Sequence, residues 1–141
     1  MATLHKPIAM LEGRVRRVYD GDTIKATLHL LPQLRLDVSI RINGIDTPEI
    51  RGGKCPAIEK PLAIKAKKRL IELLAENQTS KTHVFYVHNI KRGKYAGRLL
   101  ADVMTIDGKD VAKTLIAEGH GRPYHGGKRG SWCQFPQSNG N

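Results

Sequence analysis

From Leu34 to Ile42 the chain alternates without a break. Leu34, Leu36, Val38, Ile40 and Ile42 fall on one side, and Arg35, Asp37, Ser39 and Arg41 on the other. A period of two belongs to a strand with one face on a core and one in water. Neighbouring segments carry the same signature. Gly13 to Tyr19 and Thr23 to Leu30 read as strands joined by the turn Asp20-Gly21-Asp22. Thr82 to His88 and Leu99 to Thr105 add two more, the second after a basic, hairpin-like loop from Lys91 to Gly97.

Between the third and fourth strands the period changes. Pro61 to Glu76 predicts a helix, with Leu62, Ala66, Leu70, Leu73 and Leu74 as its apolar stripe. Pro61 fits its first turn and Asn77 the position after its end. The charges Lys65, Lys67, Lys68 and Arg69 fit either a solvated face or a phosphate-contacting one. Asp110 is placed to N-cap a short second helix with Val111, Leu115 and Ile116 inward, ended by Gly119. Three strands, a helix and two more strands predict a β-rich α+β fold. The expected form is a five-stranded barrel of the oligonucleotide-binding (OB-fold) type with two or three helices.

A chain of 141 residues suits one domain. We expect a flexible lead-in over 1–12, the domain over 13–125, and a basic, glycine-rich tail over 126–141 that frays. The formal net charge is +11, from 24 Lys and Arg against 13 Asp and Glu. A fold does not need that excess, which points to a polyanion, most often nucleic acid. A run of about 18 apolar residues is absent, so no spanning helix and no membrane partner are expected. The first residues contain no apolar signal core. The expected compartment is the cytoplasm if Met1 is the true start, and secreted or periplasmic if a signal was trimmed. Cys55 and Cys133 leave three readings: a disulfide contributing about 4–5 kcal/mol by loop entropy, two unrelated thiols, or a zinc site with His120 and His125.

The stretch Arg41-Ile-Asn-Gly-Ile-Asp46-Thr47-Pro48-Glu49 puts a cation and two carboxylates at a strand end and its following loop. Asp22 closes a turn upstream, and Arg98 opens a later strand. Taken singly, each fits an ordinary turn. Taken together, they match what water attack on a phosphodiester needs. Carboxylates hold a hard cation and a water molecule. Arginine forks grip two phosphate oxygens at once.

These residues carry a resemblance to the staphylococcal nuclease (thermonuclease) family. Its motifs are Asp20-Gly-Asp22-Thr, Arg41-x4-Asp46-Thr-Pro-Glu49, the helix with Glu59, Ala63 and Ala66, Gly97-Arg98-Leu-Leu-Ala, and Asp107-Gly-Lys-Asp-Val. The resemblance runs from about Gly13 to Tyr124. It implies Ca²⁺ held by Asp22, Asp46 and the Thr47 carbonyl, with Glu49 as general base or water-orienting group. Arg41 and Arg98 become the phosphate clamp, and Arg98 also assists the leaving 5′-oxygen. The implied activity is sugar-nonspecific hydrolysis of DNA and RNA to 3′-phosphate ends by a monomer.

Two departures stand out. The loop Lys94-Tyr95-Ala96-Gly97-Arg98 is one residue longer than the family's form, and the family's C-terminal helix is replaced by His120 to Cys133. Lys94, Tyr95 and Tyr124 are the expected nucleic-acid contacts. Trp132 fits packing over the barrel or stacking on a base. With aromatics at 5%, base-specific reading is not expected. The rival reading is a non-catalytic nucleic-acid-binding OB-fold module, which has no use for a carboxylate cluster. An interaction module on the same fold is a further rival.

Overall fold

The computed structural model describes residues 10–51, 53–94 and 96–133. In chain order the elements are β1 (Leu11–Asp20), β2 (Thr23–Leu31), β3 (Leu34–Ile42), β4 (Gly44–Asp46), α1 (Pro56–Ala75), β5 (Val84–Arg92), β6 (Arg98–Thr105), α2 (Val111–Ala117) and β7 (Arg122–Tyr124). Strands β1-β2-β3-β6-β5 close into a barrel, while β4 and β7 form a separate two-stranded sheet. The OB-fold expectation therefore holds, with two helices among the described residues.

The barrel interior is filled by alternate residues of its strands. Ile24, Ala26 and Leu28 of β2, Val38, Ile40 and Ile42 of β3, Phe85 and Val87 of β5, and Ala101 and Val103 of β6 are all buried. Leu34 and Leu36 break the pattern and stand 48% and 45% exposed. They sit beside the two-residue turn at Pro32-Gln33, where the β2–β3 hairpin projects beyond the core and no described residue covers its inner face. β1 begins at Leu11, two residues before Gly13, because Leu11 and Glu12 still pair with β5.

Helix α1 starts at Pro56, not Pro61. Pro56 needs no N–H partner in the first turn. Pro61 falls inside the helix on an exposed face, and removes the donor for a carbonyl that water can reach. Glu59 is buried in the first turn, and its carboxylate accepts the Cys55 N–H at 2.8 Å, which closes the helix start. The buried stripe is Glu59, Ala63, Ala66, Leu70, Leu73 and Leu74, with Leu62 half-buried. Arg69 is committed to Glu118 by two hydrogen bonds of 2.6 and 2.9 Å, tying α1 to the end of α2. That takes it out of the phosphate-contacting face. Asp110 caps α2 through the Lys113 N–H, and Gly119 follows with φ +83°.

Cys55 and Cys133 are paired, with Cα atoms 5.3 Å apart. The pairing removes both sulfurs from zinc. It also pulls the segment through Cys133 back to the start of α1, so residues 126–133 do not fray as expected. Residues 134–141, 1–9 and Tyr95 lie outside the described residues. Among the described residues, no helix is long and apolar enough to cross a membrane.

Candidate active site

β3 and β6 run parallel, with Ser39 beside Arg98 and Arg41 beside Leu100. Side chains two apart share a face of a strand. Arg41 and Arg98 therefore leave the same outer face of the barrel, on adjacent strands. β2 pairs with β3 on its other side, Thr23 opposite Arg41, and this brings in the Asp20-Gly21-Asp22 turn. The Asp22 carbonyl accepts the Ile42 N–H at 2.8 Å and latches that turn to the end of β3.

Gly21 is where three parts meet. A Cβ there would lie 2.7 Å from the Ala66 Cβ and 2.9 Å from the Thr47 hydroxyl. Only glycine lets α1, the turn and the Asp46–Glu49 loop approach this closely.

The charges interlock. Arg41 donates to the Ile45 carbonyl at 2.8 Å and to the Ile42 carbonyl at 3.2 Å, so its stem is fixed by the loop that it serves. The same guanidinium lies 3.2 Å from Asp22 and 3.8 Å from Asp46. Asp22 also accepts the Thr47 N–H at 3.1 Å and the Thr23 hydroxyl at 3.0 Å. Asp22, Asp46 and Thr47 are buried.

One cleft of about 410 Å³ gathers Asp20, Asp22, Arg41, Glu49, Arg51, Arg98 and Arg129. Asp46 and Thr47 are not in its lining and lie buried beside it, in contact with its wall. Lys94 and Tyr124 line an adjoining groove that shares Arg41, Arg98 and Arg129. The Tyr124 ring lies 6.0 Å from the Arg41 guanidinium. Arg98 differs from Arg41: its side chain makes no hydrogen bond or ion pair with any described residue, and it faces the cleft uncommitted.

Arg122 and Arg129 escaped the sequence reading, whereas Asp20 and Trp132 were named in it, Trp132 with packing as one of its two readings. Asp20 is buried beside Asp22 and accepts its N–H at 3.2 Å. Trp132, also buried, donates to Asp46 at 3.2 Å, so it packs rather than presenting a free ring. Arg122 lies opposite Asp46 across the β4–β7 pair and 3.8 Å above the Trp132 ring. Arg129 approaches Asp46 at 3.1 Å and pairs with Glu49. Only the Cys55–Cys133 reading carried a signal for where the last three lie. It alone would have drawn the tail to the segment that follows Glu49.

Burial, with the Asp22 charge second, pushes the Asp20 carboxyl up to about 7. Burial also raises Asp46, against the pull of Arg129. Folded metal-free protein thus holds the Asp20 proton more tightly than the unfolded chain does. The linked stability is complete below 3.8 and is lost as the pH rises through about 7. Asp20→Asn should flatten that decline in thermal melts run in EDTA across this range. An equal decline in the variant would assign it to other groups.

A hard cation fits this donor set. Asp22 and Asp46 already lie within reach of one cationic group, Arg41. Asp46 Oδ1 is buried and accepts no hydrogen bond from a described residue, with Arg129 Nε as its ion-pair partner at 3.1 Å, and burial raises the Asp20 carboxyl to about 7, a shift that an added positive charge would oppose. Among the described residues no group of three or more His, Cys, Asp and Glu side chains forms a metal cluster. A cation would therefore rest on two carboxylates, a backbone carbonyl and water, as calcium accepts.

A family model described as staphylococcal nuclease homologue matches residues 39–131, more than half of the chain. The match takes in Arg41, Asp46, Glu49, Arg98 and Arg129, and begins after Asp22. No curated protein matches the chain.

Proposed function

The chain belongs to the staphylococcal nuclease homologue family, and from that premise we propose that it is a Ca²⁺-dependent nuclease. It hydrolyses DNA and RNA with little regard to sequence and leaves 3′-phosphate ends. The observation that carries this reading is the cleft that gathers Arg41, Arg98 and the half-exposed Glu49 carboxylate on its wall, beside buried Asp46. A binding module gains nothing from carboxylates in an anion groove, since they repel the phosphate unless a cation intervenes.

In this reading the substrate strand follows the groove between Lys94, Tyr124 and Arg98. Arg41 and Arg98 grip the non-bridging oxygens and stabilise the charge that builds on phosphorus. Arg41 arrives preorganised by its two carbonyl contacts. Glu49 orients the attacking water and takes up its proton. Arg98, free to follow the departing group, protonates or hydrogen-bonds the leaving 5′-oxygen. Asp22, Asp46 and the Thr47 carbonyl would hold calcium, which supplies Lewis-acid polarisation of the phosphoryl oxygen. The +11 charge steers the polyanion inward.

Plasmid DNA incubated with Ca²⁺ should be degraded, and EDTA should stop it. Retarded but intact DNA under both conditions would favour the binding module instead.

A further inference from the structure

The segment from Arg122 to Cys133 forms a strap held by six contacts. Arg122 donates to the Gly130 carbonyl at 2.6 Å and to the Ser131 carbonyl at 3.0 Å. Its guanidinium also covers the Trp132 ring. The Tyr124 hydroxyl donates to the Gly127 carbonyl at 2.6 Å. Trp132 donates to Asp46, and Cys133 is bonded to Cys55. These contacts hold the strap so that Arg129 reaches the cleft beside Asp46 and Glu49. It lines both the main cleft and the adjoining groove, as only Arg41 and Arg98 also do among the described residues.

We propose that Arg129 is a third phosphate-gripping arginine of this cleft, delivered and held there by the disulfide-closed strap. The proposal rests on the nucleic-acid-binding part of the reading above. Its Nε faces Asp46 and one terminal nitrogen meets Glu49. A guanidinium has five donors, so the other terminal nitrogen remains for a phosphate oxygen. The side chain is 39% exposed, so its charge is open to the cleft rather than sealed in a structural bridge. It also masks two carboxylates that would repel an incoming phosphate. Losing it removes one cation from the grip and uncovers two anions.

The test is fluorescence anisotropy of a labelled single-stranded DNA oligonucleotide, titrated in EDTA over a salt series so that binding is read without turnover. Each phosphate contact adds about one unit to the slope of log K against log salt. Arg129→Gln should lower the slope by about one and weaken binding several-fold at about 0.1 M salt. Arg129→Lys should keep the slope with weaker binding, since the charge stays and the fork is lost. Lys113→Gln on α2, outside the cleft, should match wild type.

Cys133→Ser should fall to the level of Arg129→Gln, and the double variant should fall no further. Thermal melts establish that each variant is folded. A wild-type slope in Arg129→Gln alongside a reduced slope in Arg98→Gln would overturn the proposal and leave the nucleic-acid reading intact. Failure of wild type to bind DNA would overturn that reading itself. A wild-type slope in Cys133→Ser would overturn delivery by the strap.

Discussion

Glu49→Gln is expected to lower kcat by about 10²–10⁴-fold while KM stays within a few-fold of wild type. The amide keeps the size of the side chain and an oxygen for its contact with Arg129. What it loses is the ability to take a proton. Glu49 is half-exposed and lies outside the apolar core, so its replacement leaves the fold intact. Steady-state cleavage of a defined oligonucleotide separates the two constants. A matched loss in kcat and in apparent affinity would make Glu49 a structural member of the loop instead of the group that handles water.

Arg98→Lys is expected to cost about 10²–10³-fold in kcat with an unchanged melting temperature. Lysine keeps the charge, so the loss reports the planar fork and its reach to the leaving oxygen. The contrast with Arg41 is informative. Arg41 holds the Ile42 and Ile45 carbonyls and pairs with two buried carboxylates. Its substitution should therefore lower stability as well as rate. Arg98 has no such commitments among the described residues, so it isolates the chemistry. A lowered melting temperature in Arg98→Lys would mean that this arginine also supports the barrel.

The barrel was legible because alternation and burial are the same fact in a closed sheet. Alternation puts Val38, Ile40 and Ile42 on one face, and those positions are buried. Leu34 and Leu36 were assigned with them and are exposed, since period alone cannot tell where a hairpin outruns its core. The start of α1 was misplaced because Pro56 and Pro61 both suit a first turn, and only Glu59 reaching back to Cys55 decides between them.

The candidate site divides in the same way. Arg41, Asp46 and Glu49 lie close in sequence around one strand end, where local patterning could place them, and Asp22 joins them through the β2–β3 pairing. Arg98 needed the parallel β3–β6 pairing, and only the family motif supplied that in advance. Arg129 and Trp132 reach Asp46 across more than eighty positions of sequence. Their segment has no periodic pattern, and a disulfide holds it in place.

The central claim is that this cleft cuts the P–O5′ bond. Mass spectrometry of the fragments from a defined single-stranded oligonucleotide incubated with Ca²⁺ tests it most directly. The account predicts fragments ending in a 3′-phosphate, with a 5′-hydroxyl on the partner fragment. An oligonucleotide that is bound but uncut, or fragments carrying 5′-phosphate and 3′-hydroxyl ends, would contradict it.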